Sequence, residues 1–181
     1  MTKRWIVTAI GKDRPGIVAA VTKILYQVGC NLEDSAMTRL EGEFAIMLIF
    51  SAPAKVTEER LWQAFKPLER EKLAVHLKAL SAGETATPAH RGRPYVISVY
   101  GADQPGIVYK ISEMAAAQQI NITDVETHRS PGKGTHALYL MLLEVEVPPR
   151  VSEEFLEHRL QQLGKTLGVE VSLQSAEPDV L

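Results

Sequence analysis

The chain has 181 residues, with 20 Lys and Arg against 22 Asp and Glu and a formal net charge of −2, so it carries no basic excess to neutralise a phosphate backbone. Its 45% hydrophobic and 23% charged content is globular and excludes a disordered or collagenous chain. The single cysteine, Cys30, excludes an intramolecular disulfide and a zinc ribbon and points to a reducing, cytoplasmic compartment.

Trp5 to Ile10 is rich in β-branched and aromatic residues and predicts a first strand ending at Gly11. Its apolar run stops at Gly11-Lys12, too short for a signal segment or a membrane span. After the turn Gly11-Lys-Asp-Arg-Pro-Gly16, the residues Ile17, Val18, Val21, Ile24, Leu25 and Val28 fall on one helical face, and Gly29 ends that helix. Asn31 to Leu40 and Glu43 to Ser51 form a hairpin about Glu41-Gly42. Thr57 followed by Glu58 and Glu59 is an N-cap signature introducing Leu61, Phe65 and Leu68, with Pro67 kinking or shortening the helix. Leu73 to Leu77 is the last strand of this set.

The set then recurs. Gly101-Ala-Asp-Gln-Pro-Gly-Ile-Val108 answers Gly11-Lys-Asp-Arg-Pro-Gly-Ile-Val18 ninety residues on, sharing six of eight residues. The phase holds through Asn121-Ile-Thr-Asp124 against Asn31-Leu-Glu-Asp34, Arg129 against Arg39 and Gly132 against Gly42. Phe44 to Phe50 then matches His136 to Leu142, which places a two-residue insertion in the second hairpin, turning around Pro131-Gly132. Tyr95 to Tyr100, the face of Ile107, Val108, Ile111, Met114 and Ala115, the N-cap Ser152 before Leu156, Leu160, Leu163 and Leu167, and Val169 to Leu173 complete the copy. The domains are residues 1–80 and 94–176, joined by a small, polar, Gly- and Pro-containing linker, 81–93, and followed by a tail, 177–181.

The order β-α-β-β-α-β, twice, predicts an α+β protein of two ferredoxin-like domains, each an antiparallel four-stranded sheet with both helices on one face. The third strands are apolar on both sides of the pleat, so the open face or edge of each sheet should be covered by the other repeat or by a second chain, in a paired or homo-oligomeric array.

The repeated turn has two readings. Structurally, Asp13 and Asp103 are N-caps accepting from Gly16 or Gly106, with Pro15 and Pro105 early in the helix. Functionally, the helix start offers N–H groups and the positive end of its dipole to an anion, and glycine lets that anion approach the backbone. A carboxylate is the natural guest. A nucleoside triphosphate is disfavoured, because the Gly-x4-Gly spacing is followed by Ile-Val instead of Lys-Ser/Thr. Asn31 and Asn121, where the first helix returns to the second strand, are turn residues in one account and donor–acceptor amides in the other. Together these groups supply what a zwitterionic amino acid requires.

Other chemistries lack residues. There is no Gly-x-Ser-x-Gly elbow and no HExxH, and His76, His90, His128, His136 and His158 are scattered, so neither catalysis nor a metal or cofactor is expected. Cys30 at a helix end reads as a semi-buried structural thiol. The RNA-recognition motif shares the strand order, but its aromatic signature is missing at 6% aromatic content, which excludes direct nucleic-acid binding.

The tandem pattern of Gly-x-Asp-x-Pro-Gly-Ile-Val and Asn-x-x-Asp resembles two ACT domains, small-molecule-sensing modules of amino-acid metabolism, over nearly the whole chain. The resemblance implies an amino-acid effector, glycine being the candidate, bound where the first turn of one domain meets the early second strand of a paired domain. That carries over to Asp13, Arg14, Gly16 and Ile17 with Asn31, and to Asp103, Gln104, Gly106 and Ile107 with Asn121. It also implies regulation of transcription through a protein partner such as a DNA-bound activator; the alternatives are a regulatory subunit of a metabolic enzyme or a purely structural pairing module. Arg14 against Gln104 is the chief difference between the copies.

Overall fold

A computed structural model describes residues 2–81, 92–131 and 137–176. The described residues divide into two compact units, one on each side of residues 82–91. The first contains β1 (Thr2–Lys12), α1 (Ile17–Val28), β2 (Asn31–Leu40), β3 (Glu43–Pro53), α2 (Glu58–Arg70) and β4 (Ala74–Leu80). The second contains β5 (Arg93–Ala102), α3 (Ile107–Ala117), β6 (Asn121–Arg129), β7 (Leu138–Val147), α4 (Glu153–Leu167) and β8 (Val169–Ser175). The sheet orders are β2-β3-β1-β4 and β6-β7-β5-β8, with antiparallel pairing throughout, so the ferredoxin-like α+β reading holds for both units. Arg93 is a strand residue, although the sequence places it in the linker. The rest of that linker apart from Ser81 and Gly92, the 177–181 tail, and the Gly132 and His136 part of the second hairpin lie outside the described residues.

Alternation decides which side of each sheet is the core. In β3, Phe44, Ile46, Leu48, Phe50 and Ala52 are buried, and across β1 they meet Trp5, Val7 and Ala9 under α1 and α2. Tyr95, Ile97 and Val99 with Met141, Leu143 and Val145 build the same layer under α3 and α4. Each such fully buried side chain contributes about 1.5–3 kcal/mol of hydrophobic stabilisation. No charged or polar residue is buried among the described ones. The helical faces read from sequence bury Ile17, Val21 and Leu25, and Ile107, Ile111, Met114 and Ala115. Val18 and Val108 are the exception. They lie one position off the buried stripe and stay 41% and 40% exposed.

The register corrects the alignment of the third strands. Gly11 stands opposite Phe44 and Gly101 opposite Tyr139, so the second hairpin is longer by five residues instead of two. An apolar run slides against another without changing its composition, whereas backbone hydrogen bonds admit one register. The backbone also explains the leading glycines of the motif. A Cβ on Gly11 would lie 2.7 Å from the Lys72 carbonyl, and one on Gly101 2.7 Å from a Val169 methyl, because the chain entering the last strand passes directly beside them.

The second helix of each unit is capped as the sequence indicates. The Thr57 hydroxyl accepts the N–H of Arg60 and the Ser152 hydroxyl that of Phe155, with two glutamates in each first turn. Pro67 is accommodated inside α2, which has 13 residues against 15 in α4. Thr57→Ala and Ser152→Ala are each expected to lower stability by about 1 kcal/mol. Urea denaturation with an unchanged slope would check this.

Candidate functional site

The first helices begin differently. Gly16 and Gly106 occupy the N-cap positions with φ of 92° and 99°, in the left-handed region, and neither α1 nor α3 receives a side-chain cap. Asp13 and Asp103 are therefore not N-caps, and Pro15 and Pro105 precede the helices instead of opening them. The left-handed glycine turns the chain so sharply that a carboxylate three residues earlier is not seated over the first turn. Each aspartate faces an arginine at the end of the second strand: Arg39 reaches Asp13 at 3.3 Å and Arg129 reaches Asp103 at 2.6 Å. The backbone closes the same corner, with the Asp13 N–H donating to Gly42 and that of Asp103 to Ala137. Sequence reasoning found Arg39 and Arg129 in phase but gave them no role. Their equal spacing from the aspartates was the available signal.

Arg14 and Gln104 also do one job with different chemistry. Arg14 pairs with Glu71 at the end of α2, and the Gln104 amide donates to the Leu167 carbonyl at the end of α4. The extra cation of the first repeat is thus already opposed by a carboxylate. Ile17 and Ile107 are 1% and 2% exposed, so they anchor their helices in the core and offer only backbone to a ligand.

What remains is a cradle of backbone. The first-turn N–H groups of α1 have no partner within the helix and no side-chain acceptor. They border an open depression of about 500 Å³ lined by Asp13, Arg14, Gly16, Val18, Thr22 and Met37, among others. Its volume is of the order of small-molecule sites, ~300–1,000 Å³. The positive end of the helix dipole favours an anion there, while exposed Val18 and Met37 supply apolar walls.

Asn31 and Asn121 are not part of these cradles. Asn31 lies beside Ser51 and Arg4, whereas the turn follows Lys12, level with Glu43 and Leu40 at the other end of the sheet. At ~3.4 Å per residue the separation along β3 is about 27 Å. Asn121, level with Glu146, occupies the corresponding position in the second sheet. One unit therefore does not bring its own turn and asparagine together.

Burial pushes the Cys30 thiol up, away from the reactive thiolate. Among the described residues no three His, Cys, Asp or Glu side chains form a group able to hold a metal. No helix among them is long and apolar enough to cross a membrane.

The ACT domain model matches residues 3–78 and again 93–174. Over 94% of its length, and 87% of the relative's, the chain is 26% identical to a glycine cleavage system transcriptional repressor of Escherichia coli (strain K12). It is 31% identical over 42% of its length to a UPF0237 protein of Methanosarcina mazei, covering 84% of that protein. Among solved structures, an unknown protein from Galdieria sulphuraria superposes with a TM-score of 0.78 at 26% identity, over 97% of this chain and 99% of the other. A putative glycine cleavage system transcriptional repressor superposes at 0.67 and 23% identity, over 96% and 97% of the two chains, and shares the fold. With two matched repeats spanning most of its length, the chain belongs to the ACT domain family.

Proposed function

We propose that the protein is a non-catalytic sensor of a small amino acid, with glycine as the candidate effector, that regulates amino-acid metabolism through a protein partner. One observation carries this reading. In both repeats the second helix is closed by a side-chain cap, while the first opens through a left-handed glycine with its first-turn N–H groups uncapped. Helix termini ordinarily satisfy those donors internally or by solvent, and a pair of cradles built alike suits an exchangeable carboxylate.

The ammonium of the effector needs an acceptor, and Asn31 or Asn121 supplies it from a neighbouring domain, since within one unit each lies at the far end of the sheet. Binding then couples to the pairing of domains, because the ligand completes its contacts only in the paired state. In this reading residues 1–80 and 94–176 are the sensing domains and 81–93 the linker, and the working form is a homo-oligomer. The similarity to a transcriptional repressor supports a DNA-bound activator as the partner, with this chain making no nucleic-acid contact of its own. The net charge of −2 agrees with that division of labour.

Calorimetric titration of the full chain tests the reading. Glycine, or another small amino acid, is expected to give saturable heat, and glycinamide, which lacks the carboxylate, to give none. Equal heats from the two, or no heat from any amino acid, would overturn it. Arg14→Gln, which gives the first turn the side chain of the second, is expected to leave binding within about threefold, a change under ~0.7 kcal/mol, because Glu71 already opposes that charge.

A further inference from the structure

The two repeats share their turns but not the side chains on the adjoining strands. In the first, the depression beside Gly16 is walled by Met37 of β2, Phe44 of β3, and Val18 and Ala19 of α1. The polar groups around it are engaged: Asp13 by Arg39, Arg14 by Glu71, and the Thr22 hydroxyl as donor to the Val18 carbonyl at 2.8 Å. A ligand side chain entering there meets methyl, thioether and phenyl groups.

In the second, the phase of the repeat puts Thr127 where Met37 stands, and the strand register puts Tyr139 where Phe44 stands, opposite Gly101 as Phe44 is opposite Gly11. Both pairs occupy the helix side of their sheet, since Met37 lies opposite buried Ile46 and Thr127 opposite buried Met141. The replacements add two hydroxyls, and these meet: Thr127 hydrogen-bonds the Tyr139 hydroxyl, near enough to Asp103 for that carboxylate to act on the phenol. Burial pushes the Tyr139 hydroxyl up and the Asp103 charge adds to this, so the phenol keeps its proton at neutral pH. Asp103 itself is held by Arg129 at 2.6 Å. Tyr109, which replaces Ala19, turns its hydroxyl to Glu113 further along α3 and adds no third hydroxyl to the pair.

We infer that the two cradles take different amino acids: the first one with hydrogen or a small apolar side chain, the second one with a side-chain hydroxyl, recognised by Tyr139 and Thr127. The inference deepens the amino-acid reading above and rests on it. A phenol bonded on one side to Thr127 has hydrogen-bonding capacity left for a ligand hydroxyl. A methyl in the same place leaves that capacity unused, whereas the apolar wall of Met37 and Phe44 desolvates a ligand hydroxyl without replacing its bond. Because Tyr139 is only partly buried, one such bond changes affinity by about fivefold.

Titration of the isotope-labelled full chain with serine and with alanine tests it, because the amides of Gly16 to Val18 and of Gly106 to Val108 report the two cradles separately. Serine is expected to saturate the shifts of Gly106 to Val108 at a concentration at least about fivefold below that of alanine, and to show no such advantage at Gly16 to Val18. Tyr139→Phe, which removes a single oxygen, is expected to bring the serine preference at the second turn to within about twofold of that at the first. Thr127→Val, at an exposed position of the edge strand, is expected to lower it at least about twofold. Thermal melts verify that both variants fold. Equal preferences at the two turns, a second turn that serine does not move, or a preference indifferent to both variants would overturn this inference and leave amino-acid sensing standing. Turn amides unmoved in both units by glycine, alanine and serine would overturn the reading beneath it, and the inference with it.

Discussion

Gly16→Ala is expected to lower amino-acid affinity of the first cradle by about 10–100-fold while costing only about 1–2 kcal/mol of stability. The stability cost follows from the backbone: φ is 92°, and an L-residue in the left-handed region loses about that much. It has no steric part, since a Cβ there would meet no protein atom within 4 Å. The added methyl instead borders the depression that an incoming carboxylate must enter, and relief of strain swings the N–H groups away. Hydrogen bonds to a charged group contribute about 1.5–3 kcal/mol, which sets the size of the loss. Gly29→Ala is the control. Gly29 also has a positive φ, 77°, but it closes the other end of α1. It is expected to cost similar stability and leave binding unchanged, and calorimetry on both variants separates strain from recognition.

Phe65→Ala is expected to remove about 3–5 kcal/mol from the first unit, the largest stability effect of a single truncation proposed for it. Phe65 is 1% exposed and packs a tilted ring 6.4 Å from that of Phe50, itself fully buried in β3. The two hydrophobic clusters are built from different residues, one in each unit. Hydrogen exchange should therefore lose protection at β1 and β3 amides and retain it at β5 and β7. Equal loss in both sheets would contradict two separately built cores.

The element order was legible because the signals were local and doubled. Thr57 and Ser152 precede acids and apolar residues at helical spacing. At the first hairpin Glu41 and Gly42 both adopt positive φ, as a tight turn between paired strands requires. Repetition made each assignment twice. The site was less legible. The string Asp-x-Pro-Gly suits an N-cap aspartate, and only the left-handed conformation of Gly16 and Gly106 shows that the aspartates instead serve Arg39 and Arg129. Side-chain partners distant in sequence are invisible to spacing rules, as are Glu71 for Arg14 and Leu167 for Gln104. The five-residue difference between hairpins escaped for another reason, because two apolar strands align in several ways until hydrogen bonds choose one.

The proposed effector sensing requires the uncapped N–H groups at the start of α1 and α3 to receive a carboxylate. Titrating the isotope-labelled full chain with glycine, and with other small amino acids in turn, while following backbone amide chemical shifts tests this directly. The expected result is that the amides of Gly16 to Val18, or their counterparts Gly106 to Val108, shift saturably with Asn31 or Asn121 at the same ligand concentration. Shifts confined to other parts of the chain, or turn amides unmoved by any amino acid, would contradict it.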